Sequence, residues 1–232
     1  MNDNPFVINQ VDTVGLNRFF AKIYGFVAAG IGLSAVTSFL ALTVFRQATI
    51  NLLVGGGSGF IMILMLAEIG LVFTASAMAA KNSPTALPMF LVYSVLNGVT
   101  ISFVLMLYTQ TAVFNAFLSS ALMFVVMAVI GATTKKDLSA IGQALRAALW
   151  GVIIASLVNI FLGSSGMSFM ISIVSVLIFA GLIAYDNQRI RYVFEETNGQ
   201  VGQGWVVSMA LQLYLDFINL FLNLLRIFGS RD

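Results

Sequence analysis

Apolar positions along this chain fall into seven long runs separated by short polar stretches, and the last run carries a pattern the others lack. The runs span approximately 24–45, 60–80, 87–108, 112–133, 147–162, 168–186 and 206–228. At ~1.5 Å per residue, most can cross a hydrocarbon core about 30 Å thick. The fifth and sixth are short, which predicts less tilt or ends that stop in aqueous clefts. The last reads WVVSMALQLYLDFINLFLNLLRIF from Trp205 to Phe228. Within it Gln212, Asp216, Asn219, Asn223 and Arg226 follow one another at steps of four, three, four and three. At roughly 100° per residue that confines them to one narrow stripe on a helix. A carboxylate inside a spanning helix is costly unless paired, protonated or wetted, so the stripe is expected to face protein or a water-filled cavity. This helix therefore belongs inside a bundle. Asn219 and Asn223 equally suit hydrogen bonds to neighbouring helices.

The connections are too short for a second domain, so the expectation is one all-α, seven-transmembrane-helix domain over residues 1–232. Residues 1–23 form a polar amino-terminal segment, with Asp3, Pro5 and Asp12. The first apolar run is longer than a signal-peptide core, which predicts that this segment is retained. Gly55, Gly56, Gly57 and Gly59, with Ser58, read as a flexible turn between the first two helices, because the Gly-Lys-Ser/Thr ending of a phosphate loop is missing. Pro84 and Pro88 mark the turn before the third. Residues 135–146, KKDLSAIGQALR, place Leu138, Ile141 and Leu145 at steps of three and four, which predicts a short amphipathic helix on the membrane surface. Trp150 and Trp205 fall at segment ends, where indole rings anchor among head groups.

Composition sharpens this picture. Hydrophobic residues make up 59% and charged residues 9% of the chain, against about 25% charged in soluble domains. Cysteine and histidine are absent, which removes disulfides, thiol nucleophiles, common structural zinc, His-ligated haem and Ser/His/Asp triads. No cofactor is expected. The net charge is +2 and the pI about 9.0, but the basic residues stand singly between apolar runs and read as membrane flanks rather than a nucleic-acid surface. With seven spans, Arg18, Lys22, Lys81, Lys135, Lys136, Arg146, Arg189 and Arg191 lie on the side of the amino terminus. Only Arg46, Arg226 and Arg231 lie opposite, which predicts a cytoplasmic amino terminus.

Three acids lie in or at the ends of apolar runs: Glu68, Asp186 and Asp216. Asp186 closes the sixth run, whereas Asp216 lies well inside the seventh, so contact between them requires the two helices to be offset in depth. If they meet, like charges in a poorly solvated place cannot both ionise easily, and the pair titrates as a unit. Such a pair is a latch, closed by a shared proton and opened by repulsion. The alternative for Asp186 is a solvated helix end followed by Asn187 and Gln188. Glu68, central in LMLAEIGLVF, must point inward. Together the three acids would offer oxygen ligands suited to calcium, too few for a tightly bound metal.

The run SMALQLYLDFINLFLNLLRIF, with GLIAYDNQRI and KKDLS, resembles the Bax inhibitor-1 family, and the resemblance covers nearly the whole chain. It implies a bacterial plasma-membrane protein whose last helix is central and wrapped by the other six. It further implies a calcium leak governed by pH through a pair of aspartates, here Asp186 and Asp216, with Glu68 lining the ion path beside Gln212, Asn219 and Asn223. Calcium in transit and the bilayer are then its partners. Members can carry an arginine cluster at the inner end of the second helix; in the corresponding stretch here, Ala77 to Lys81, only Lys81 is basic, leaving it as the candidate latch. Some relatives act by binding other membrane proteins, including AAA proteases, which is the main alternative function. An intramembrane aspartyl protease is disfavoured because Leu213, Tyr214, Leu215 and Asp216 replace its GxGD. A retinal receptor lacks its lysine on the seventh helix.

Overall fold

The computed structural model describes residues 13–229. Asp3, Pro5, Asp12 and Arg231 lie outside the described residues. The helices are α1 (Thr13–Leu42), α2 (Arg46–Ala80), α3 (Ala86–Leu105), α4 (Gln110–Thr133), α5 (Ser139–Leu162), α6 (Ser165–Glu196) and α7 (Gln203–Phe228), and all seven contain a span long and apolar enough to cross a membrane. Local chemistry sets several ends. Thr109 and Ser164 accept hydrogen bonds from Ala112 N (3.2 Å) and Met167 N (3.3 Å), capping α4 and α6. Gly163 ends α5 in the left-handed conformation, with φ 61°. Pro88 falls in the first turn of α3, where its missing N–H costs nothing.

α7 is the buried axis of the bundle. It packs against α6, α4, α1, α2 and α3, and most of its residues are buried. The expectation that six helices wrap it is corrected in one respect: α5 stands outside, packed on α6. Helices surrounded by lipid gain little hydrophobic free energy from touching one another, so small residues that allow close approach carry the packing. Gly98 lies against the backbone of Ser34, Gly131 against that of Ala184, and Gly204 against those of Ala79 and Asn82. The outward faces are apolar, as at Phe161, which is 89% exposed.

Four boundaries differ from the sequence reading. α1 is already helical at Thr13, inside the stretch expected to be a polar segment, and Phe19 and Ile23 share its buried face, with Phe19 packed on Phe194 (5.3 Å) and Trp205 (5.8 Å). The glycine-rich stretch is helix rather than a turn, broken at Gly57 (φ 56°, ψ −157°), with the spanning part running Gly59–Ala80. No separate surface helix exists at 135–146. Ser139 onward is the start of α5, held upright because Gly142 meets the Tyr185 ring and Leu145 seats on Gly181. Trp150 consequently falls midway along α5, 69% exposed, and not at a helix end. Finally, α6 is not short: it continues past Asp186 to Glu196.

Candidate functional site

That extension of α6 settles the depth problem posed by the two aspartates. Asp186 lies ten residues before the end of α6, about 15 Å along its axis, and Asp216 thirteen residues after the start of α7, about 20 Å. The two helices run side by side from the turn at 197–202, so the acids arrive at nearly the same level. Both are buried, at 2% and 6% exposure, and the charge of Asp186 acts directly on Asp216. No N–H or hydroxyl among the described residues reaches the buried Oδ2 of Asp216. Ionised carboxylates only accept hydrogen bonds, so neither acid can satisfy the other unless one of them carries a proton. Asp186 is therefore not a solvated helix end.

The residues after Asp186 tie α6 to three further places. Successive residues point about 100° apart on a helix, and each finds a different partner. The Tyr24 hydroxyl of α1 donates to Asn187 Oδ1, and Asn187 Nδ2 donates to Ile183 O at 2.7 Å. Gln188 accepts from Leu138 N (2.8 Å) and donates to Lys136 O (2.7 Å). Arg191, one turn on, donates to Ala132 O and Thr134 O (2.8 and 2.9 Å) at the end of α4. The runs AYDNQRI and KKDLS thus meet in space, and the aspartate is held by a rigid frame. In the turn itself, hydrogen bonds from Ser139 hold the exposed Asp137 carboxyl below its ordinary range.

The cations near the pair are Arg189 of α6 and Arg146 of α5, both close enough to act electrostatically on Asp186. Arg146 sits over the Tyr185 ring at 4.8 Å and donates to its hydroxyl at 3.4 Å. Lys81 does not fill this place. It is exposed at the end of α2, where the neighbouring Asn82 accepts from Gly204 N (2.6 Å) at the start of α7. That is twelve residues, about 18 Å, from the level of Asp216. The apolar runs place Arg146 before the fifth helix and Arg189 after the sixth, so the sequence pattern gives neither arginine as a neighbour of the pair.

Glu68 belongs to a second polar centre. Its Oε1 accepts from Thr100 (2.6 Å) and Asn97 (3.5 Å) of α3. Tyr214 donates to Asn97 Oδ1 (2.9 Å) and shares a hydrogen bond with Ser34 (2.7 Å), which reaches Ser94 O (2.7 Å). Tyr214 and Asp216 are two residues apart, about 200° around α7, so the two centres face different sides. No group of three acids able to hold a metal exists among the described residues. The expectation that Glu68 joins both aspartates in one calcium ligand set is corrected. Buried Tyr214, Asn97 and Ser34 carry no charge and gave no signal in a one-dimensional reading.

The polar stripe of α7 is less covered than its other sides. Gln212, Asn219 and Asn223 are half-buried while Asp216 is buried. Asn219 and Asn223 donate to carbonyls of their own helix, Leu215 O and Asn219 O, both at 2.8 Å, rather than to neighbouring helices.

A family model described as "Inhibitor of apoptosis-promoting Bax1" matches residues 16–232. An uncharacterized membrane protein of Streptococcus pyogenes serotype M1 is 56% identical over 232 residues, covering 100% of both chains. Protein YrjE of Lactococcus lactis, also uncharacterized, is 46% identical over 229 residues, 99% of this chain and 97% of its own. Inner membrane protein YbhL of Escherichia coli K12 is 38% identical over 221 residues, 94% of this chain and 93% of its own.

Proposed function

The chain belongs to the Bax inhibitor-1 family of membrane proteins, and from that premise we propose that it is a pH-sensitive calcium leak channel gated by Asp186 and Asp216. The observation that carries the reading is the burial of both acids at similar depth on the packed helices α6 and α7. With a shared proton the pair holds the helices together. Without it, like charges in close contact repel by roughly 4 kcal/mol at an effective dielectric of ~20, enough to shift a two-state equilibrium about a thousandfold. Repulsion then parts α6 from α7 and admits water and a cation to the polar stripe formed by Gln212, Asn219 and Asn223. Glu68 lines the route on α2. Arg146 and Arg189, in place of Lys81, balance the charge of Asp186. The family relatives in bacteria and the basic flanks support a plasma-membrane location with the amino terminus in the cytoplasm.

The test is calcium flux into proteoliposomes across pH. Wild type should leak more as the pair loses its proton, and Asp216→Asn, which leaves one acid and no proton to share, should flatten that profile. A folded Asp216→Asn variant with the wild-type profile removes the gate. Purified protein that moves no calcium at any pH removes the channel and favours action through a membrane-protein partner.

A further inference from the structure

A cavity of about 540 Å³ opens between α1 and α4 in the half of the bundle farthest from the amino terminus. These two helices make no extended contact with each other. Its floor is α7, through Phe217, Ile218 and Phe221. Phe39 of α1 and Phe114 of α4 line it while remaining 64% and 65% exposed, so they flank its mouth. The polar side chains in its depth are already engaged: Ser34 donates to Ser94 O (2.7 Å) and Ser38 to Gly98 O (2.6 Å). A cavity whose polar groups are satisfied internally offers water no partners. Tyr108 and Gln110, in and beside the α3–α4 turn, put polar groups at its outer end.

We propose that this cavity binds one acyl chain of a phospholipid from the adjoining leaflet, with the head group at Tyr108 and Gln110. The dimensions favour that occupant. Along α1 the lining runs from Ile31 to Thr43, about 18 Å, comparable with one leaflet's ~15 Å share of a ~30 Å core. The mouth opens to hydrocarbon, the walls are aliphatic and aromatic, and the polar rim lies where a membrane surface falls. The site is distinct from the aspartate pair and does not depend on the gating proposal.

The probe is a phosphatidylglycerol carrying a diazirine near the end of one acyl chain, in vesicles holding the full chain, with adducts mapped by mass spectrometry after illumination. Lipid that merely surrounds the bundle labels outward faces such as that of α5 and cannot reach the buried Phe217, Ile218 and Phe221 of α7. Acyl-chain binding should place adducts on Phe217 to Phe221 and lose them on dilution with unlabelled lipid. Ala35→Trp, a filling substitution at an exposed lining residue, should cut α7 labelling about tenfold and leave α5 labelling unchanged. Val113→Phe fills from the opposite wall and serves as the second variant. Unlabelled α7 beside labelled α5, or α7 labelling indifferent to both folded variants, overturns the proposal. So does disulfide-linked dimer from Phe114→Cys in this cysteine-free chain, which would put a second copy over the mouth.

Discussion

Replacing Gly131 by alanine should destabilise the bundle although alanine is the better helix former. Gly131 lies on α4 against the backbone of α6, where a Cβ would overlap the carbonyl oxygen of Ala184 and sit 2.7 Å from its carbonyl carbon. Carbon atoms settle at about 3.5–4.0 Å, so the helices must separate locally by ~1 Å. The obstacle is backbone, which cannot rotate aside like the tip of a side chain. Overpacking of this kind costs typically 1–3 kcal/mol, and the rigid contact argues for ~3. The helix propensity of alanine offsets about 1 kcal/mol, leaving a net loss of ~2 kcal/mol, or about thirtyfold in the folded-to-unfolded ratio. Gly151 of α5 is the matched control, since a Cβ there meets nothing within 4 Å; Gly151→Ala should be neutral or stabilising by up to ~1 kcal/mol. Denaturant unfolding of both variants in one mild detergent, followed by circular dichroism, measures the contrast. Equal stabilities, or a Gly131→Ala variant at least as stable as wild type, refute the close packing of α4 on α6. That packing also positions Asp186, two residues beyond Ala184.

Further expectations concern the polar centres. Tyr214→Phe removes the hydroxyl between Ser34 and Asn97 and leaves the buried Asn97 carbonyl short of a donor, a loss of ~1–3 kcal/mol. Adding Ser34→Ala should cost less than it does alone, because the two hydroxyls share one bond, and a double-mutant cycle in the same unfolding assay reads the coupling. Gln188→Leu strips Lys136 O and Leu138 N of their partners. Amide hydrogen exchange across 135–139 should accelerate while the middle of α7 stays protected. Uniform acceleration would mean that Gln188 supports the whole bundle and not this turn.

Seven apolar runs and a final helix placed inside the bundle were legible because each rests on local chemistry. A spanning helix must satisfy its backbone internally and be apolar over about 20 residues, and both properties can be counted along the chain. Asp216 announced itself in the same way, since a carboxylate among leucines and phenylalanines needs a partner. Helix ends were less legible. Thr13 to Ile23 and Ser139 to Arg146 look polar enough for a tail and a surface helix, yet both belong to spanning helices, because Phe19 and Leu145 find buried places on distant partners.

Sequence alone thus determined the class of molecule, the number of its helices and that the last lies inside the bundle, because hydrophobic length and an intramembrane charge are properties of single segments. Only the tertiary structure decided that α6 runs on to bring Asp186 level with Asp216, that Glu68 joins Tyr214 instead, and that Arg146 rather than Lys81 stands near the pair. In a bilayer the lipid-facing side of a helix is as apolar as its packed side, so periodicity does not tell one neighbour from another. Close approaches at Gly98, Gly131 and Gly204, each to backbone far away in the chain, make that choice.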